Sequence, residues 1–333
     1  MAYQSLKEII RLCGEEGIPF WRAVLQDDMN ERSVSEAESL ATMGKMWEAM
    51  LAASENYDPS LMSGSGLVGK DGAKMEEYRK QGGALVGDFV GKVIAQALQM
   101  GESNACMKRI VAAPTAGACG VLPAVLVPLY QKNAGEYKEA ESRESARNCK
   151  TAEECEDVEN RESAGGRERV ENGSVAISRE RIVEALYVAA GIGQVIAARA
   201  FIAGAQGGCQ AEVGSASSMA AGALVYLKGG DNEQIVHAAA MAMKNLLGLV
   251  CDPVAGLVEV PCVKRNVIGA VNALAAADMA LAGITSRIPP DQVIDAMKEV
   301  GESMHVSLRE TGEGGVANTP YAREVAKEIH GKG

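Results

Sequence analysis

Aromatic side chains are scarce in these 333 residues, with 3 Phe, 2 Trp and 8 Tyr, 4% of the chain. A core short of rings has to be filled by alanine, valine and methionine at close helix–helix contacts. Histidine is scarcer still, with 3 copies at His237, His305 and His330, which leaves few candidates for an acid or base that works near neutral pH. Basic residues are the minority charge, 33 against 44 acidic, and the net charge of −11 argues against nucleic acid as a principal partner. No charged-then-apolar leader opens the sequence, so a cytoplasmic protein is expected. There the 8 cysteines should be reduced thiols, ligands or bystanders rather than disulfides. None forms a CxxC pair, which excludes a zinc knuckle.

What the chain does have is helical periodicity almost everywhere. Ser33 and Glu36 have the SxxE spacing of a capping box, and Leu40, Met43, Trp47, Met50 and Leu51 then recur at three- and four-residue steps. Similar patterns predict helices over Gly72–Met100, Ser178–Ile202, Asp231–Leu249, Val263–Ala282 and Pro290–Val300. Asp231 and Pro289-Pro290 read as start signals and Gly301 as a stop. The run Ile182–Ala198 is apolar enough to suggest a membrane span, but Glu184 and Gln194 interrupt it and Arg199 closes it, so a buried core helix and no membrane are expected. With no convincing strand pair, the fold class is all-α, a single helical domain over 1–333. Between Gln131 and about Ile177 the composition changes to 8 basic and 12 acidic side chains without leucine, phenylalanine or tryptophan. Such a stretch cannot bury enough apolar surface to offset chain entropy, so it reads as a solvated, charged insertion.

Three cysteines stand apart from the helical pattern. Cys209, Cys251 and Cys262 sit in GGCQAEVGS, CDPVAG and VPCVKRN, each rich in glycine or proline. A structural cysteine usually occupies the apolar face of a regular element, whereas a ligand needs a backbone that bends its sulfur toward a common point. Metal ligands are therefore the expectation, with small thiols buried near turns as the alternative. Cys13 and Cys106 lie in helical context and Cys149 and Cys155 in the charged stretch, and all four read as bystanders.

Four longer motifs carry a resemblance. APTAGACG (Ala113–Gly120), GGCQAEVGSASSMAA (Gly207–Ala221), NLLGLVCDPVAGLVEVPCVKRN (Asn245–Asn266) and RETGEGGVANTP (Arg309–Pro320) resemble the alpha chain of the iron–sulfur-dependent L-serine dehydratases. The likeness spans nearly the whole chain apart from the charged insertion. It implies an all-helical catalytic domain, an L-serine ammonia-lyase that yields pyruvate and ammonia with a [4Fe–4S] cluster. Its ligands would be Cys209, Cys251 and Cys262. Three thiolates leave one iron open to act as a Lewis acid, where four would suggest electron transfer. Two alternatives remain: a related cluster lyase acting on L-cysteine or another β-substituted amino acid, and a cluster-binding subunit without catalysis. A pyridoxal-phosphate dehydratase is disfavoured, since no lysine sits in a Schiff-base setting.

The resemblance also points to substrate-binding positions. Ser63–Gly72, SGSGLVGKDG, is similar to the family's SGLTGG-like loop, with Val68 and Lys70 departing from threonine and glycine; Ser65 and Gly66 are the positions it favours. Thr115 and neighbouring amides could hold a carboxylate in an anion nest. Lys264, Arg265 and Asn266 follow the third cysteine and would offset thiolate and substrate charge. From the residues alone, both loops also read as tight turns that need glycine. Cys119 lies in APTAGACG, where relatives can carry alanine, and is not expected to be a ligand. The general base is unknown. The family's serine–histidine–threonine motif, found in a beta portion, does not occur here, so a separate beta chain is expected to complete the site, and an oligomer is expected. The last residues, His330-Gly331-Lys332-Gly333, hold no cysteine to fill the fourth cluster position. Water, substrate or the partner is expected there.

Overall fold

Short polar side chains set many of the helix starts in the computed structural model, which describes residues 3–133 and 177–331. Helix α1 (Leu6–Glu16) begins at Ser5, whose hydroxyl accepts from the Glu8 amide. It is followed by α2 (Phe20–Arg32), α3 (Glu36–Glu55), α4 (Asp71–Lys80), α5 (Gly87–Ala105) and α6 (121–133). Then come α7 (Arg179–Arg199), the single turn α8 (Gly204–Gly207), α9 (Ser215–Leu227), α10 (Asn232–Lys244), α11 (Cys262–Leu281), α12 (Pro290–Ser303) and α13 (Pro320–His330). Ser178, Asp231 and Thr319 cap α7, α10 and α13, and Asp231 forms a reciprocal capping box with Gln234. Among the described residues no strand forms beyond one bridge pair, Cys251 with Arg309, so the chain is all-α. The charged insertion expected at about 131–177 lies almost wholly outside the described residues, as do Cys149 and Cys155.

Several boundaries differ from the sequence expectation, each for a local reason. The capping box of α3 is Ser35 with Glu38, not Ser33 with Glu36. Ser33 instead closes α2 in the left-handed conformation at φ 54°. The helix expected over Gly72–Met100 is two helices, because Gly82 takes φ 75° and its amide turns back to the Arg79 carbonyl. Gly301 does not stop α12. It lies buried inside that helix, where a β-carbon would come 2.9 Å from the Gly207 Cα, so glycine is what lets α12 approach α8. The helices beginning at Ser178 and Asp231 end earlier than expected, at Arg199 and Lys244.

Helix α9 is the centre of the packing, against α7, α10 and α11. Every residue of α9 except Tyr226 is buried, and its serine, alanine and glycine side chains let three neighbours close on it. Buried hydroxyls are satisfied across the contact: Ser217 Oγ donates to the Gly269 carbonyl of α11 at 2.8 Å and accepts from Asn272 Nδ2 at 2.9 Å. Helix α7 meets the length and composition of a membrane span, yet it packs on α2, α3 and α9. Farther out, Trp47 of α3 is 1% exposed and meets Tyr130 of α6 edge to face at 5.5 Å. Asp28 of α2 pairs with Arg32 and accepts from Ser39, whose hydroxyl lies 2.5 Å from the Tyr187 hydroxyl of α7. The Arg32 hydrogen bonds hold the Asp28 carboxyl below its ordinary 3.8.

Candidate metal centre

Cys209, Cys251 and Cys262 are far apart in sequence and come together in space. Only Cys251 lies in a loop; Cys209 opens the turn that leads into α9, and Cys262 is the first residue of α11. The expectation that all three sit in turns without helical periodicity is thus corrected for two of them. Glycine and proline precede both helix starts, which is why the flanking sequence reads as a turn.

All three thiols are buried. The neighbouring Cys251 and Cys262 thiols and the Arg265 guanidinium hold the Cys209 thiol well below its ordinary value. The closeness of Cys209, with burial, pushes Cys251 and Cys262 up. Arg265 Nη1 lies 3.5 Å from Cys209 Sγ, 2.8 Å from Asp252 Oδ1 and 2.7 Å from the Val250 carbonyl oxygen. It is the cation that balances both the thiolate and the buried Asp252.

A carboxylate joins the sulfurs. Ligand atoms of Cys209, Cys251 and Glu212 lie within 4.8 Å of one another. Thr115 Oγ1 donates to Glu212 Oε1 at 2.7 Å, and burial raises the Glu212 carboxyl to about 7. Room for this group depends on Gly204, where a β-carbon would sit 2.8 Å from Cys251 Sγ and 2.8 Å from Glu212 Oε2. Cys119 is not brought in by any described contact; its buried thiol points to the Met100 carbonyl oxygen at 3.8 Å.

The middle cysteine is held by its backbone. Its amide donates to the Leu308 carbonyl and its carbonyl accepts from the Glu310 amide, both at 2.8 Å. One residue on, Asp252 Oδ2 accepts from the Val316 amide at 2.7 Å. Residues 308–316, most of the RETGEGGVANTP motif, are therefore a strap across the CDPVAG loop.

The remaining predicted positions frame two loops. Asn266 is buried and fully used: Nδ2 donates to the Gly117 and Cys262 carbonyls and Oδ1 accepts from the Gly120 amide, which ties APTAGACG to α11. In the Ser63–Gly72 loop, Gly66 takes φ 78° in a turn closed on the Ser63 carbonyl. Ser65 Oγ donates to Glu259 at 2.5 Å, and the exposed Lys264 pairs with Asp71 at 3.1 Å. Of the histidines, His237 accepts from the Ser286 amide at 3.4 Å and His305 turns to Ser307, while His330 is exposed on α13. Sequence reasoning passed over Glu212, Asp252 and Glu259, although all three lie inside quoted motifs. Glu212 had one available signal, a spacing of one helical turn from Cys209.

The donor set fits an iron–sulfur group. Three soft sulfur ligands converge without a fourth cysteine among the described residues, beside a cation and a glycine whose missing side chain leaves space. Known proteins resemble this chain over nearly all of its length. A family model described as "Serine dehydratase alpha chain" matches residues 15–146 and 169–317. The "Probable L-serine dehydratase, alpha chain" of Bacillus subtilis (strain 168) is 40% identical over 329 residues, 99% of this chain and 96% of that one. The "L-serine dehydratase, alpha chain" of Peptoniphilus asaccharolyticus is 38% identical over 98% of this chain and 97% of its own length. "L-serine dehydratase 2" of Escherichia coli (strain K12) is 33% identical over 95% of this chain, which spans 61% of that longer protein. This chain belongs to the serine dehydratase alpha chain family.

Proposed function

We propose that the chain is the catalytic alpha chain of a cytoplasmic L-serine dehydratase, converting L-serine to pyruvate and ammonia in amino-acid catabolism. Cys209, Cys251 and Cys262 would hold a [4Fe–4S] cluster. When bound, such a cluster supplies a Lewis-acidic iron for the departing hydroxyl. The observation that carries the reading is the clustering of Cys251 and Cys262 around Cys209, which Arg265 contacts, with Glu212 within reach.

The chain's own residues have distinct tasks in this reading. Arg265 offsets the negative charge that thiolate ligands bring, so an anionic substrate is not repelled. Asn266 acts through the loop it fixes, keeping Thr115 at the edge of the sulfur site. Ser65 and Gly66 lie on the loop tied to the start of α11, where Lys264 offers a cation to the substrate carboxylate. Among the described residues no histidine contacts the cysteines, so the proton at Cα is assigned to a group from a separate beta chain. Two things support that partner: near-full-length relatives are named alpha chains, and the longer dehydratase extends well past the matched part.

The test is anaerobic reconstitution with the partner chain, followed by iron and sulfide analysis and turnover of L-serine, L-threonine and L-cysteine. Serine should be the preferred substrate. Cys→Ser at 209, 251 or 262 should abolish both iron loading and turnover, whereas Cys119→Ala should keep both. Air should bleach the brown absorbance and the activity together. Activity that survives complete bleaching, or faster turnover of cysteine than serine, overturns the reading.

A further inference from the structure

Glu259 is a buried carboxylate, 7% exposed, and no lysine, arginine or histidine among the described residues pairs with it. Burying an anion without a countercharge is costly, and proteins normally supply a cation or a full set of donors. Glu102 of α5 shows the second solution. It is 0% exposed and accepts from the Asp71 and Gly72 amides at the start of α4 and from the Tyr57 hydroxyl. Glu259 receives less. Ser63 Oγ at 2.8 Å and Ser65 Oγ at 2.5 Å both donate to Oε2, and no described hydrogen bond falls on Oε1.

The position of this carboxylate ties it to the sulfur site. The Glu259 carbonyl accepts from the Val263 amide and so opens α11, whose first residue is Cys262. In the same helical turn, Lys264 pairs with Asp71. The Ser63–Gly72 loop is therefore pinned to the start of α11 at both ends, by Glu259 at the serines and by Lys264 at Asp71. The turn between those ends is open: a β-carbon at Gly64 or Gly66 would meet nothing within 4 Å.

Resting on the dehydratase reading above, we infer that Glu259, with Ser63 and Ser65, is the binding site for the α-ammonium of the amino-acid substrate. The free Oε1 is an acceptor, as is the one lone pair left on each hydroxyl beyond those taken by the Leu67 amide on Ser65 and the Val68 amide on Ser63; an ammonium brings three donors and the missing positive charge. Lys264, across the loop, takes the carboxylate end. The site then discriminates amino acids from hydroxy acids of the same shape.

The test uses the holoenzyme with its partner chain and two competitive inhibitors. L-alanine keeps the ammonium and carboxylate; 3-hydroxypropanoate keeps the carboxylate and hydroxyl and lacks the ammonium. Turnover of L-serine by the wild type is measured first, and its absence refutes the dehydratase reading and the site with it. With turnover present, Glu259→Gln should raise KM for L-serine and Ki for L-alanine by about 10- to 100-fold, the range of a charge-assisted hydrogen bond. The Ki of 3-hydroxypropanoate should change by less than about threefold, and kcat should fall less than KM rises. Equal weakening of both inhibitors would make Glu259 a mere support for the loop and overturn the inference. So would an unchanged Ki for L-alanine, or the selective loss appearing in Glu212→Gln instead. Should Glu259→Gln fail to load iron, Ser65→Ala carries the same comparison, with L-alanine weakened about three- to tenfold and 3-hydroxypropanoate unchanged. Equal effects on the two inhibitors there also overturn it.

Discussion

Replacing Gly204 with alanine adds one methyl group where two atoms of the sulfur site already stand. The backbone at this position is outside the left-handed region, so alanine is conformationally acceptable, and in a helical turn it is preferred to glycine by roughly 0.5–1 kcal/mol. The penalty is steric. The new carbon would lie 2.8 Å from Cys251 Sγ and equally close to Glu212 Oε2, whereas non-bonded atoms settle at about 3.5–4.0 Å, so each must retreat by about 0.7 Å. Glu212 can swing on a flexible arm. Cys251 has one side-chain torsion, and its backbone is held on both sides by Leu308 and Glu310. Overpacking of this kind costs about 1–3 kcal/mol, which lowers the melting temperature by a few degrees and leaves the protein folded. Ligand distances tolerate only about 0.2 Å. Gly204→Ala should therefore stay helical by circular dichroism while binding at most about a fifth of the wild-type iron and sulfide after anaerobic reconstitution. Gly14→Ala is the control, because a methyl group there meets nothing within 4 Å. Wild-type iron content and absorption in Gly204→Ala would refute the steric argument.

Three further outcomes are expected. Glu102→Gln replaces an acceptor held by two α4 amides and Tyr57 with a group that also donates, so the Asp71 and Gly72 amides should exchange hydrogen faster, by a local loss of about 1–3 kcal/mol. Unchanged exchange at those two amides would count against it. The folded-state pKa of Asp28 is depressed, so its stabilising contribution is present above 3.8 and is lost as pH falls through its lower folded value. Urea midpoints of Asp28→Asn should accordingly fall less steeply than wild type between about pH 5 and 3, and parallel curves would exclude that role. Trp47→Ala should cost about 3–5 kcal/mol in chemical denaturation, with iron bound per folded chain unaltered because the ring packs on α6, away from the cysteine loops. A coincident loss of iron would mean that the two regions are coupled.

How much of this could be read in the sequence depends on the range of the forces involved. Helix existence was legible because apolar spacing is local, and Asp231 caps the helix it was expected to start. Ser33 misled because two overlapping SxxE spacings compete, and the backbone of Ser33 turns left-handed to end the preceding helix. Gly301 misled because glycine serves both helix termination and close approach, and only the neighbour Gly207 distinguishes them. At the site, sulfur chemistry and glycine-rich flanks marked the three cysteines, yet their meeting is tertiary. Glu259 was invisible as a functional group for the same reason, and Glu212 had only its spacing of one helical turn from Cys209. An acidic side chain is usually solvated, and burial, the property that makes these two unusual, has no signature in residue type.

The strap across the CDPVAG loop bears on when the sulfur site can exist during synthesis. Cys251 is fixed only once Leu308 and Glu310 are available to pair with its backbone, and Asp252, the partner of Arg265, waits for Val316. A nascent chain that has emerged through Cys262 already carries all three sulfurs but not the segment that orders the middle one. A cluster held as proposed would meet an unfixed thiol at that stage, and its stable loading would follow the arrival of residues 308–316. The segment that orders Cys251 is thus made well after the three cysteines themselves.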